Sequence, residues 1–425
     1  MAFRSTFGGT AMASETEVAI VGGGAAGIAA ARKLAEAGID CLILEARPRL
    51  GGRAWTVEAA GFPVDLGCGW LHSADRNPWR AIAEGQGATV DKTPPPWTHP
   101  APNPGFPIAE QLAFSKALNV FYDRLGAYPE TMPDVPAAAL LEPGGRWNAL
   151  MDAVSTYFSG AELDRVSVRD FARYEDSGVN WRVVEGYGAI IAGHAAGVPV
   201  ELGCPVDLID HSGARLTIGT ARGAVTADAA IVTLPSALIA EERIRFTPAL
   251  PEKVEAATGL PLGLADKLFL ALDGAEDFET DSRLFGHNDR TETGVYHLRP
   301  FGRPQIEVYL GGSCAEELEA GGETAFLDFA VGELVGLFGA DFAKRVRPLA
   351  VHGWRGDPFA RGSYSYALPG KAEARAVLAA PVDDRLFFAG EACSRNDFST
   401  AHGAYRTGII AAEQVIAARR VQGRP

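Results

Sequence analysis

The sequence predicts an α/β protein built on a Rossmann-like dinucleotide-binding domain, and three observations carry that expectation. An apolar run, Val18-Ala-Ile-Val, leads into Gly22-Gly-Gly24-Ala-Ala-Gly27. A helix-like segment continues to Gly38, and a second apolar run, Cys41-Leu-Ile-Leu, ends in Glu45. Apolar run, small residues, helical segment and apolar run in that order read as strand, tight turn, helix and strand.

Each part of that unit has a task. Gly22 permits the turn, Gly24 lets the backbone approach a pyrophosphate, and Gly27 lets the helix pack closely on its strand. Unpaired N–H groups and the positive end of the helix dipole favour the phosphates at the helix start. Glu45, about twenty residues beyond the glycines, is placed to accept hydrogen bonds from a ribose hydroxyl. A carboxylate there suits NAD or the AMP half of FAD and disfavours a 2′-phosphate. Gly51-Gly52-Arg53 follows the second strand, and an arginine at that point can fork onto a pyrophosphate. The segment resembles the extension found in flavoproteins with two dinucleotide-binding domains, which favours FAD over NAD.

Length and composition set the frame. At 425 residues the chain exceeds one ordinary domain, so two domains are expected. A hydrophobic content of 47% with 22% charged residues describes a globular protein. The formal net charge of −14 argues against nucleic acid as a partner and is compatible with a cationic substrate. Five cysteines without a CxxC pair suggest neither a disulfide framework nor a metal site, and fit a reducing compartment, here the cytoplasm. No segment approaches the ~20 apolar residues of a membrane span, so no membrane association is expected. Residues 1–16 are small and polar and read as a disordered leader.

Farther along, Asp65-Leu-Gly67-Cys-Gly69-Trp70-Leu-His72 places glycines where a backbone passes a flat ligand, although any buried loop has the same look. Pro94 to Pro104 is a proline-rich surface connection and a domain crossing. Ile108 to Leu125 carries Ile108, Leu112, Leu118, Phe121 and Leu125 at helical spacing, most of them expected in the core and some along a substrate cavity. Short β-type runs at 199–202, 206–209 and 229–235 suggest a return to the nucleotide domain. The runs from Lys267, Val295 and Gln305 have the pattern of an antiparallel sheet, and Phe326 to Phe338 reads as a helix. Near the end, Arg385-Leu-Phe-Phe runs into Ala389-Gly390-Glu391. Ser399-Thr400-Ala401-His402-Gly403-Ala404 opens a last helix whose N–H groups could meet the electron-rich edge of a flavin.

Taken together these motifs resemble the flavin-containing amine oxidases: monoamine oxidases, polyamine oxidases and lysine-specific histone demethylases. The resemblance runs from Val18 to about Ala418, and its motifs stand closest to the polyamine oxidases. It implies a Rossmann-like FAD-binding domain in three pieces (17–85, 183–250 and 350–425) with an inserted α+β substrate domain (86–182 and 251–349). It also implies roles. Glu45 holds the adenosine ribose, Arg53 the pyrophosphate, Val206 the adenine and Glu391 the ribityl region, while Thr400 and Ala401 present N–H groups to the flavin ring. Arg47, Gly52, Gly69, Trp70 and Gly390 complete the expected cofactor site, with Trp354 either beside the flavin or a core tryptophan. Lys267 matches a lysine that holds a water against flavin N5. Tyr364 matches an aromatic flanking the substrate amine, and Thr400 stands where monoamine oxidases have a second cage tyrosine. His72 matches a histidine near the cavity of polyamine oxidases or is structural. Asp357 reads as a turn residue before Pro358. No metal is implied.

The departures also carry meaning. Ser363 stands where a covalent flavin link needs cysteine, so non-covalent FAD is expected. The long helical insertion of the demethylases is missing, which speaks against chromatin work. The expected activity is oxidation of a small-molecule amine, a polyamine or secondary amine, with dioxygen as acceptor and hydrogen peroxide as product. Glu175 or Asp176 is expected to attract a distal ammonium. The alternatives are a monoamine oxidase for primary amines, a carotenoid- or porphyrin-type desaturase, and a flavin-binding interaction protein.

Overall fold

A computed structural model describes residues 14–421. The first strand, Glu15–Val21, is buried on both faces. Val18 and Ile20 point to one side and Ala19 and Val21 to the other, so an unbroken apolar run is what this position requires. Glu15 and Thr16 are already part of the strand and pair with Thr226 and Ala227. This corrects the last residues of the expected leader; residues 1–13 lie outside the described residues.

Around that strand an eight-stranded sheet is ordered 245–247, 206–210, 216–220, 223–232, 15–21, 41–44, 200–201, with Leu386–Phe388 added on the strand Gly223–Val232. Strand 15–21 is parallel to both neighbours, whereas 206–210, 216–220 and 223–232 form an antiparallel meander. The long strand 223–232 changes partner along its length. Its first half pairs with 216–220 and its last three residues with Leu386–Phe388.

One face of this sheet is covered by the nucleotide helix Ala25–Glu36 and the C-terminal helix Ala401–Val421. The two helices meet through small residues. A Cβ on Gly408 would stand 2.2 Å from the Ala26 carbonyl oxygen, and one on Gly27 would stand 2.0 Å from that of Gly22. Gly22 itself has φ +109°, the left-handed turn the motif demands.

The second layer is a five-stranded antiparallel sheet ordered 282–285, 295–298, 305–311, 265–272, 346–352. The helix Glu323–Phe338 backs it through Phe326, Ala330 and Leu334. Strand Val346–His352 spans residue 350, where the sequence placed a domain boundary. Helices Ile108–Gly126, Asn148–Ser159 and Val168–Ala172 complete this half around Phe106, Phe114 and Phe285.

The helix from Ile108 differs from expectation in its buried face. Ile108 and Leu112 are 54% and 56% exposed. Phe114, Phe121 and Leu125 are buried, with Leu118 packed beside them. At 3.6 residues per turn Leu112 lies about 200° from Phe114, so the core stripe starts at 114 and the earlier apolar residues fall on the outer side.

Candidate active site

The two layers enclose a cavity of about 1150 Å3 that runs from Gly22, Gly24 and Glu45 to Lys267 and Tyr364. That exceeds the ~300–1,000 Å3 typical of a site for one drug-sized ligand. At the nucleotide end, Glu45 follows the second strand and is held by the N–H groups of Gly23 (2.6 Å) and Arg47 (2.8 Å). Two backbone donors fix the carboxylate and leave lone pairs for hydroxyls.

Arg47 and Arg53 line the cavity, yet each is already paired. Arg47 meets Asp357 at 2.6 Å. Asp357 also accepts from the Phe359 N–H and faces His352, so it is both the expected turn residue and an anchor for Arg47. Arg53 Nη1 donates to Glu391 (2.9 Å) and to the Ser363 carbonyl (2.7 Å), so the fork expected to face a pyrophosphate has one nitrogen committed to protein. Glu391 further accepts from the Ser365 hydroxyl (2.6 Å) and the Ser399 N–H (2.9 Å). Burial opposes ionisation of Glu391. Arg53, the Ser365 hydroxyl and Arg375 outweigh it and hold the pKa below the ordinary carboxylate value. Arg375, itself buried, binds Asp170 through two nitrogens at 2.7 and 2.8 Å. The Arg53–Glu391–Ser365–Arg375–Asp170 chain thus ties residues far apart in sequence into one support.

At the other end, Lys267 projects from the strand Ala265–Leu272. Its ammonium meets Glu307 at 2.9 Å and the Asp65 carbonyl at 3.0 Å, and it lies 4.8 Å from the centroid of Tyr309. Burial pulls its pKa down. Glu307, Tyr309 and Asp65 outweigh burial, so Lys267 stays protonated above its ordinary range. Two of three N–H groups are committed, which leaves one for Tyr309 or a water in the cavity. Burial raises the Glu307 pKa, but Lys267 and His297 prevail and bring it down to about 2. His297 contacts Glu307 at 3.4 Å and Asp281 at 3.0 Å, and Asp281 pairs with Arg182 at 2.7 Å. Burial disfavours imidazolium, yet the hydrogen bonds to Asp281 and Glu307 raise the His297 pKa.

The remaining expected residues separate into lining and support. Gly52, Gly69, Trp70, His72, Val206, Trp354, Tyr364, Gly390, Thr400 and Ala401 all line the cavity, whereas Gly27 does not and serves packing. The Tyr364 hydroxyl donates to the Tyr157 carbonyl, which fixes the ring. The Thr400 hydroxyl donates to Asp397 O (2.6 Å) and accepts from the Gly403 N–H (2.9 Å), so it caps the last helix. Asn180 gives its NH2 to Gly178 and its oxygen to His72 Nδ1 (2.7 Å). That arrangement puts the His72 proton on Nδ1 and makes Nε2 an acceptor. Burial lowers its pKa against the Asn180 hydrogen bond and Asp176, so the ring is neutral. Asp176 lines the cavity, whereas Glu175 pairs with Arg76 at 3.2 Å and binds Asn396 instead of facing the cavity.

Sequence reasoning missed His297, Glu307, Asp281, Arg182, Arg283 and Trp97, all in or beside this cavity. His297 and Glu307 each interrupt an apolar strand, but an outward-facing polar residue gives the same pattern, so the sequence carries no signal that separates them. Trp97, in the proline-rich connection, stands edge-on to Trp70 at 4.5 Å.

With this geometry the comparisons with known proteins agree. The family model described as flavin containing amine oxidoreductase matches residues 25–157 and 140–416. The chain belongs to this family. Among the curated relatives of this amine oxidoreductase are polyamine oxidase 4 of Oryza sativa subsp. japonica, 28% identical over 95% of this chain and 89% of that protein, and polyamine oxidase 2 of Arabidopsis thaliana, 29% identical over 93% and 87%. Human lysine-specific histone demethylase 2 is 27% identical over 94% of this chain and 53% of its own length. The solved structure of wild-type putrescine oxidase bound to putrescine superposes with a TM-score of 0.77 at 18% identity, covering 95% of this chain and 99% of that one.

FAD is accordingly the cofactor of this amine oxidoreductase, and its cavity fits the group. A Cβ on Gly24 would meet nothing closer than Gly52 Cα at 3.9 Å and the Gly51 carbonyl oxygen at 4.0 Å, and one on Gly390 only the Leu234 carbonyl at 3.8 Å. Both glycines thus leave bare backbone against the cavity beside the Glu45 and Glu391 carboxylates. Among the described residues no group of three or more His, Cys, Asp or Glu is placed to hold a metal ion, and no helix is long and apolar enough to cross a membrane.

Proposed function

We propose that this enzyme oxidises an aliphatic amine, a secondary amine or polyamine, to an imine that water hydrolyses to a carbonyl compound. FAD, when bound, would supply the redox chemistry, namely hydride removal from the amine α-carbon and two-electron reduction of dioxygen to hydrogen peroxide. The observation that carries this proposal is the single cavity joining Glu45 and Glu391 to Lys267 and Tyr364.

The chain's own residues have separate roles. Glu45 accepts from the ribose, while Glu391 and Arg53 face the ribityl and pyrophosphate region. Thr400 and Ala401 begin the helix whose positive end faces the flavin ring. The fixed Tyr364 ring orients the amine, and Lys267 holds a water with its remaining N–H. His72 Nε2 accepts from a substrate N–H, which favours the neutral amine that can release hydride. The apolar walls exclude bulk water and disfavour the ammonium form. FAD is held without a covalent bond, because the Ser363 hydroxyl donates to the Ala265 carbonyl and accepts from its N–H, both at 2.9 Å.

The test adds spermidine, putrescine, benzylamine and octylamine to the yellow holoenzyme. Anaerobic bleaching followed by peroxide release on admitting air is expected. Acid precipitation should leave the yellow colour in the supernatant. A flavin that no amine bleaches would remove the amine-oxidase function.

A further inference from the structure

The cavity face of the five-stranded sheet can be followed residue by residue. Lys267 is paired with Tyr309, Tyr309 with Val295, and Val295 with Phe285, and all four line the cavity. In the adjoining row on the same face, Arg283 stands opposite His297. Three strand spacings of roughly 4.8 Å separate the strand of Lys267 from that of Arg283, about 14 Å. Arg283 therefore lies at the far end of the cavity from Lys267.

Five lysine and arginine side chains line this cavity, and four have an anionic partner: Arg47 with Asp357, Arg53 with Glu391, Arg243 with Glu241 and Lys267 with Glu307. Arg283 has none. Its guanidinium makes no ion pair or hydrogen bond among the described residues and lies 4.9 Å from the centroid of Phe285. It is partly buried and lines the cavity. Its cross-strand neighbour His297 engages two carboxylates of its own, Asp281 and Glu307. Phe114, Leu118, Phe285 and Val295 make the intervening wall apolar. A ring face returns only part of the hydration a guanidinium loses on burial, so a confined arginine of this kind is complete only with an anion.

We propose that Arg283 receives an anionic group at the far end of the substrate, so that this enzyme prefers amines carrying a carboxylate at the end of an apolar chain. The inference rests on the amine-oxidase function and narrows it. A carboxylate-bearing amine, primary or secondary, fits this end, whereas the polyamine proposed above meets an unneutralised cation there. The carboxylate accepts a forked pair of N–H donors from Arg283, the alkyl spacer lies along Val295 and Phe285, and the amine reaches Tyr364.

The experiment uses the FAD-loaded enzyme with three chain-matched probes, 8-aminooctanoate, octylamine and 1,8-diaminooctane, and the unreactive anion octanoate. In the wild type, kcat/KM for 8-aminooctanoate is expected to exceed the other two by about tenfold or more, the value of one charge-assisted pair. Arg283→Met should abolish that advantage through KM while leaving octylamine within about threefold, and Arg283→Lys should retain part of it. Octanoate binding, measured by calorimetry, should weaken about tenfold in Arg283→Met and less in Arg283→Lys. A wild-type preference for the diamine, an equal loss on all three probes, or octanoate affinity unchanged in the variants overturns the proposal. Should no amine reduce the flavin, the amine-oxidase function fails, and octanoate binding alone decides whether Arg283 is an anion site.

Discussion

Lys267, Glu307, His297, Asp281 and Arg182 form a buried row of alternating charge whose members depend on one another. Replacing Glu307 by Gln leaves Lys267 and His297 each short of an anion, and breaking such a buried pair costs about 3–5 kcal/mol. Because Asp281 and Glu307 raise the His297 pKa against burial and Arg182, folded protein binds this proton more tightly than unfolded chain does. The resulting stabilisation is complete below the unfolded value near ~6.5 and is lost as pH rises through the folded value. Thermal melts of wild type and His297→Gln across that window should show a difference that is largest at acid pH and shrinks as pH rises; a difference growing with pH would place a neutral imidazole there. Glu45 could be singled out from the sequence because it sits in a local motif with fixed spacing, whereas Lys267 and Glu391 were singled out only through the family resemblance. Arg182, Asp281 and Glu307 were not, since nothing local distinguishes a charge buried by a distant strand from one on the surface.

At the scale of elements, the strand–turn–helix–strand unit was readable from its unbroken apolar runs and the small residues between them, and the antiparallel runs from Lys267, Val295 and Gln305 from their short β-type patterning. The inner face of helix Ile108–Gly126 was not, because apolar residues on both sides of it satisfy helical spacing and tertiary packing alone chooses between them. Small residues were the least informative letters, yet they set how the nucleotide helix sits. Gly408→Ala forces a Cβ to 2.2 Å from the Ala26 carbonyl, in the first turn of that helix. Destabilisation of about 1–3 kcal/mol is expected, together with weaker FAD affinity, since the displaced turn carries the phosphate-facing N–H groups. Gly332→Ala is the control: it lies within the helix Glu323–Phe338, nothing stands within 4 Å of the added Cβ, and a gain of about 0.4–1 kcal/mol is expected. Urea titrations with FAD-binding measurements on both variants separate the two cases; equal effects would show that the helix contact carries no special constraint.

In the whole molecule, both layers contribute walls to one cavity, so a ligand that fills it bridges them. Bound FAD at a hundred times its dissociation constant adds about 2.7 kcal/mol to stability. The apoprotein should therefore melt several degrees below the holoenzyme and recover on adding FAD, whereas identical melting temperatures would mean that the cofactor touches only preformed surface. Length raised the expectation of two domains but left the order of the strands open, because Leu386–Phe388 joins a partner more than 150 residues earlier. That join has a consequence for biosynthesis. While the polypeptide is still being made, the open edge of strand Gly223–Val232 waits for its last neighbour until Leu386–Phe388, more than 150 residues later, has left the ribosome, and the helix Ala401–Val421 that seals the nucleotide helix emerges later still. A nascent or prematurely terminated product thus presents a bare apolar sheet edge to its surroundings.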